Sequence, residues 1–210
     1  MKMNAGKYPE FPRIVPCDAE DELLNTRYAK RREMQEIIPN LFLGPYAVAK
    51  KNQLEHLQRT GITHIVCVRS PAEAKIVKPN FPEQMQYFVV EISDKNSQNI
   101  IQYFPQVKRF IDGCLQSSGK VLVHGMVGFS RSAALVIAYL METYQLSYTD
   151  SLRYVSERRP CCWPNIGFQH QLEEYEYIIT ARRQVSDLRK ETLFGGQTMV
   201  GSKRKFEEVT

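Results

Sequence analysis

Residues 121–144 constrain the fold more than any other part of the chain. They read as an apolar strand, VLVH, a short loop, GMVGFS, and then RSAALVIAYLMETY, which is apolar on almost every side. A strand without polar alternation is covered on both faces, and a helix without a polar stripe is buried. Joined by so short a loop, the two predict a sheet with helices packed over it, an α/β architecture. The loop also carries chemistry by position. At the amino end of a helix, unpaired backbone N–H groups and the positive end of the helix dipole favour a bound anion. Gly125 and Gly128 let the backbone approach a ligand closely, and Arg131 at the helix start offers a planar fork that matches phosphate oxygens. The implied ligand is a phosphate monoester. Taken alone, His-x-x-x-Gly-x-x-Arg-Ser fits an ordinary strand-to-helix turn with an exposed arginine equally well.

The remaining segments supply the other layers. Residues 62–68 (ITHIVCV) and 87–92 (YFVVEI) are short and rich in β-branched or aromatic residues and predict strands, with a shorter candidate at 41–43. Leu54 and Leu57 predict an amphipathic helix closed by Gly61. Ile101, Phe104, Val107, Ile111 and Leu115 predict a second, with Pro105 confined to its first turn. Leu152 and Val155 mark a helix opened by Ser147 or Thr149, and Phe168, Leu172, Tyr175 and Ile179 a longer closing one. Residues 1–33 read as a partly ordered arm, 34–183 as the one domain, and 184–210, with Gly195, Gly196 and Gly201, as a disordered tail.

Composition narrows the partners. The longest apolar run, 133–141, has nine residues, against roughly 20 for a bilayer span, so no membrane role is expected. The formal charge of +5 sits mostly in the flanks, whereas a nucleic-acid module carries a basic face on the folded domain, so no nucleic acid is expected either. The start of the chain lacks the apolar stretch of a secretory signal, so the cytoplasm and nucleus are the expected compartments. The five cysteines, Cys17, Cys67, Cys114, Cys161 and Cys162, are odd in number and lack zinc spacing, so neither disulfide, metal nor other cofactor is expected. Lys203, Arg204 and Lys205 fit a nuclear address or a solvated tail.

The loop in its context resembles the cysteine-dependent protein phosphatases, and the dual-specificity subfamily in particular. Their signature is His-Cys, five residues, then Arg and Ser or Thr. Here it reads His124-Gly125-MVGFS-Arg131-Ser132. The resemblance begins at EIIPNLFLG (36–44), passes through GITHI (61–65) and ends in PNIGFQHQL (164–172). It implies the dual-specificity phosphatase fold: a central, mostly parallel sheet of four or five strands with helices on both faces. It also implies roles for particular residues. Asp94, 31 residues before Gly125, falls where the family keeps its general acid. Residues Gly125, Met126, Val127, Gly128, Phe129, Ser130 and Arg131 form the phosphate cradle, with His124, Ser132 and Asn165 supporting it.

One position departs from the active family. Gly125 stands where a cysteine is ionised to attack phosphorus, and a hydrogen cannot form that bond. The stretches 34–37, 40–46, 121–125 and 133–143 further resemble the non-catalytic branch of the subfamily, the pseudophosphatases. That resemblance implies a regulator of phosphorylated or signalling proteins, with MAP kinases the leading class and F-box substrate receptors of ubiquitin ligases another. Three versions stay open on the residues: a phosphate-holding trap, a scaffold that uses other surfaces, and a residual phosphatase built on Ser132, Cys161 or Cys162. Asp94 is either a relic acid or a hydrogen-bonding residue. Met126, Val127 and Phe129 would block phosphate if they folded over the cradle.

Overall fold

In the computed structural model, which describes residues 30–194, the strand that feeds the loop lies at the centre of the sheet. The strands are β1 (Gln35–Ile38), β2 (Leu41–Pro45), β3 (Ile62–Arg69), β4 (Gln86–Glu91) and β5 (Lys120–Gly125), in the order β1-β2-β5-β3-β4. β2, β5, β3 and β4 run parallel, and β1 is antiparallel to β2. The sheet is therefore mixed, with four parallel strands as expected and a fifth, β1, that the apolar pattern did not mark. Only the last two residues of β1 are buried, too short a signal for a strand. The parallel register puts His124 beside Gly44 and Cys67, so three strand ends converge under the loop.

The helices are α1 (Leu54–Thr60), α2 (Phe104–Gln116), α3 (Arg131–Tyr144), α4 (Tyr148–Arg158) and α5 (Ile166–Phe194). Gly61 closes α1 at φ 83°, the left-handed conformation that a glycine adopts without penalty. Pro105 lies in the first turn of α2, where its missing N–H costs nothing. Ser147 caps α4 by accepting from the Asp150 N–H at 3.0 Å. On one face of the sheet, Phe42, Ile65, Cys67 and Leu122 pack with Leu57 of α1 and with Val77, Phe81 and Met85 from the connection between β3 and β4. On the other face α2 and α3 lie against β5. Every residue of α3 from Arg131 to Met141 is buried, which explains its uniform apolarity.

The flanks differ from the expected boundaries. Arg159, fully buried just after α4, donates to the carbonyls of Lys30 (3.1 Å) and Glu33 (2.9 Å), so the end of the supposed arm is tied into the domain. At the other end α5 continues to Phe194, so residues 184–194 are helical and not irregular tail. A compact unit ends at Glu176, and the rest of α5 from Tyr177 belongs to a second unit, with Tyr177, Val185 and Leu188 exposed. The expectations for 1–29 and for Lys203–Lys205 lie outside the described residues, as does Cys17. Cys67, Cys114, Cys161 and Cys162 are free thiols. No described helix is long and apolar enough to cross a membrane.

Candidate functional site

Two glycines of the loop are opposites. Gly128 has φ +71°, and a Cβ built there would lie 2.3 Å from the Gly44 carbonyl oxygen. Only glycine fits. At Gly125 a Cβ would meet nothing closer than Ser132 Oγ at 3.4 Å and the Val68 carbonyl at 3.7 Å. Neither φ nor space demands glycine there. The seat of a side chain is present and empty, and the buried Ser132 hydroxyl facing it has no hydrogen-bond partner among the described residues. Arg159 holds the arc from beneath, donating through Nε to the Gly128 carbonyl (2.9 Å) and through Nη2 to that of Val127 (3.2 Å).

The positive charge of the site is already spoken for. Arg131 is 7% exposed, and its two terminal nitrogens donate to the two carboxylate oxygens of Glu73 at 2.5 and 2.9 Å. Nη1 also reaches the Ile92 carbonyl at 3.2 Å. Hydrogen bonding to this fork, opposed by partial burial, holds the Glu73 carboxyl well below the usual range, at about 2. The remaining nitrogen, Nε, lies 3.7 Å from Asp94 Oδ2. Asp94 Oδ1 accepts from Ser130 Oγ and from Asn165 Nδ2, each at 2.7 Å. Asn165 in turn donates its N–H to Ser130 Oγ at 3.1 Å and accepts the Phe168 N–H at 3.0 Å, capping α5. Asp94, residues 125–132 and their bonds leave a cavity of only about 10 Å³, about the space of one water molecule.

Nucleophiles are scarce nearby. Burial pushes the Cys67 thiol up to about 11 and that of Cys162 up to about 12, and it raises Cys114 and Cys161 as well. None of the four lines the loop cavity. A thiol held protonated is a poor nucleophile. Ser132 makes no hydrogen bond, so no base is set against it. His124 lies fully buried beneath the loop with its ring 5.7 Å from that of Tyr46. Burial pushes its imidazole down to about 4, a backbone contact with Gly125 opposing in part, so it is neutral at pH 7. No group of His, Cys, Asp and Glu that could hold a metal ion occurs among the described residues.

The structure thus brings together every residue that the sequence singled out: His124, the 125–131 loop, Ser132, Asp94 and Asn165. The three apolar loop residues all line the cavity but differ in their surroundings. Met126 packs against the core beside β3, Val127 is 48% exposed, and Phe129 lies 5.8 Å from the guanidinium groups of both Arg31 and Arg159. Sequence reasoning missed Glu73 and Arg159. Glu73 had a signal, since Ser70-Pro-Ala-Glu73 forms a capping box. Arg159 had none, because its acceptors are mostly backbone carbonyls from distant segments.

The comparisons with known proteins agree with this geometry. The family model described as dual specificity phosphatase, catalytic domain, matches residues 41–178. Serine/threonine/tyrosine-interacting proteins of Homo sapiens and Mus musculus are each 54% identical over 173 residues, which is 82% of this chain and 77% of theirs. Protein phosphatase Slingshot homolog 3 of Homo sapiens is 38% identical over 156 residues, covering 74% of this chain and 23% of its own. The crystal structure of the human tyrosine phosphatase-like serine/threonine/tyrosine-interacting protein superposes with a TM-score of 0.69 at 59% identity, covering 70% of this chain and 98% of that one. Human DUSP28 follows with a TM-score of 0.63 at 27% identity, covering 70% and 95%. With its parallel strand ends, its glycine-built loop and the matched span from 41 to 178, the chain belongs to the dual specificity phosphatase family.

Proposed function

We propose that this family member performs no turnover and acts by binding, as a regulator or anchor of phosphorylated or signalling proteins and a competitor of active phosphatases. The observation that carries the reading is the empty side-chain position at Gly125 opposite an unpartnered Ser132 hydroxyl. In the family's chemistry a thiolate there bonds to phosphorus and the ester oxygen leaves with a proton from the acid. A glycine supplies no electron pair for that bond, no cysteine lines the cavity, and the Ser132 hydroxyl that faces the position has no base beside it. The likeness to the serine/threonine/tyrosine-interacting proteins supports a partner among signalling proteins. Within that class MAP kinases come first, and the cytoplasm and nucleus are where such partners are met.

The test is a sensitive aryl-phosphate assay. The parent protein is expected to be inert. Gly125→Cys is expected to gain activity on the order of a thousandfold over that background, about 4 kcal/mol of barrier, because the seat accepts a Cβ without displacing backbone. Hydrolysis by the parent chain, lost in Ser132→Ala, would end the non-catalytic reading. A second reading is favoured by the occupation of Arg131 by Glu73 and Asp94. In it, partners such as an F-box substrate receptor bind surfaces away from the loop, and their affinity ignores orthovanadate.

A further inference from the structure

A second concave site lies on the same edge of the sheet. Parallel strands gather their binding clefts beyond their carboxyl ends. The turn that follows β2, starting at Tyr46, and the 76–80 segment that follows β3 together border a shallow, open depression of about 470 Å³. It adjoins the loop directly, since the Tyr46 N–H donates to the Met126 carbonyl at 3.3 Å.

Its lining is basic and unopposed. Lys50, Lys51 and Lys78 line it, and no carboxylate does. All three are exposed, and none of them enters an ion pair among those found in the described residues. Asn80 Nδ2 donates to the Tyr46 hydroxyl oxygen at 3.0 Å and to the Ala49 carbonyl at 2.7 Å. The phenol is thereby fixed in place and keeps its own hydrogen to donate. Ile76, 60% exposed, supplies an apolar margin beside these polar groups. Lysine is a flexible, compact cation suited to an anion held near a surface.

We propose that this cleft, and not the loop, receives the phosphorylated side chain of an acidic segment on a protein partner. The proposal rests on the reading above, that the protein binds phosphoproteins, and it relocates where the phosphate sits. Charge complementarity and space decide it. The loop offers about 10 Å³ and an arginine already bonded to one carboxylate and 3.7 Å from another. The cleft is open to solvent and offers three lysines with no carboxylate among the lining residues. At the first an approaching dianion must compete with carboxylates already paired with the arginine, and at the second it meets lysines that no carboxylate engages.

The test uses the full chain and fluorescence anisotropy with a labelled acidic phosphothreonine peptide and its unphosphorylated counterpart. Lys50→Glu/Lys78→Glu is expected to weaken the phosphopeptide by about tenfold or more and to flatten its dependence on salt. Arg131→Met, or Arg131→Lys should that variant not fold, is expected to leave the peptide's affinity within about twofold. Loss with either Arg131 variant while the lysine variant binds normally would overturn the cleft and keep the phosphoprotein reading. Binding indifferent to all of these changes, or equal for the unphosphorylated peptide, would also overturn it. Failure of the parent chain to bind the phosphopeptide would remove the cleft and the phosphoprotein reading together, while the Gly125→Cys assay would still decide separately whether the chain lacks turnover.

Discussion

The loop between β5 and α3 and the lysine cleft beside Tyr46 share one edge of the sheet, yet they arrive at anion chemistry from opposite directions. The loop is built from backbone, with Gly128 pressed against Gly44 and a helix start behind it. The cleft is built from side chains on two loops. In the loop the charges are internal: Arg131, Glu73 and Asp94 together carry one net negative charge. In the cleft the charges face solvent. Shape and charge therefore separate. The fold supplies a phosphate-sized turn through its backbone, while the affinity of that turn is set by which side chains occupy it.

The sharpest way to break this comparison is to change one unit of charge in each place. Glu73→Gln removes the charge partner of a nearly buried arginine, and removing one member of such a pair strands the other in low dielectric. The expected cost is about 3 kcal/mol, read as a lowered urea midpoint. A lysine reversal in the cleft exchanges an exposed, unpaired charge and should move the midpoint by no more than about 0.5 kcal/mol. Equal effects at the two sites would mean that the Arg131–Glu73 pair is no more structural than a surface lysine.

Acid separates the two regions again. His124 titrates near 4 when folded and near 6.5 when free, so between these values the unfolded chain binds a proton that the folded chain refuses, and stability falls as pH drops from about 6.5 to about 4. Glu73 titrates near 2 when folded against 4.5 when free. Its contribution is fully present above 4.5 and is lost as pH falls from about 4.5 to about 2. Both groups belong to the loop side. Unfolding midpoints between pH 8 and pH 3 should therefore fall in two stages. A flat curve from pH 6.5 to pH 5 would show that burial does not hold the His124 imidazole neutral.

These features differed in how far the chain announced them. The order of strands and helices was legible because burial on both sides leaves uninterrupted apolar runs in β5 and α3, and Gly61, Pro105 and Ser147 punctuate helices for local steric reasons. The loop and Asp94 were legible through family spacing. β1 was not, because a four-residue strand with two buried positions has no period to detect. The extension of α5 past residue 183 was hidden for a related reason: an exposed helix needs no apolar stripe. The cleft depends on Lys50 and Lys78 meeting across two connections, and the occupation of Arg131 depends on a carboxylate 58 residues away. Charge pairing of that kind is decided by tertiary structure.

The smallest expected effect isolates what closes the loop. Asp94→Asn keeps an oxygen for Ser130 and Asn165 but removes the negative charge 3.7 Å from Arg131 Nε. A carboxylate so placed opposes an incoming oxyanion, and after screening its removal is worth on the order of tenfold in affinity. Tungstate binding should therefore tighten severalfold in Asp94→Asn. The single tryptophan, Trp163, reports it, because its backbone N–H donates to the Phe129 carbonyl at 2.8 Å and the residue is 72% exposed. Phosphopeptide binding to the cleft should stay unchanged in the same variant. If tungstate affinity does not move, charge is not the barrier. The loop is then shut by its size, because the isosteric asparagine still fills the mouth and leaves room for little more than a water molecule.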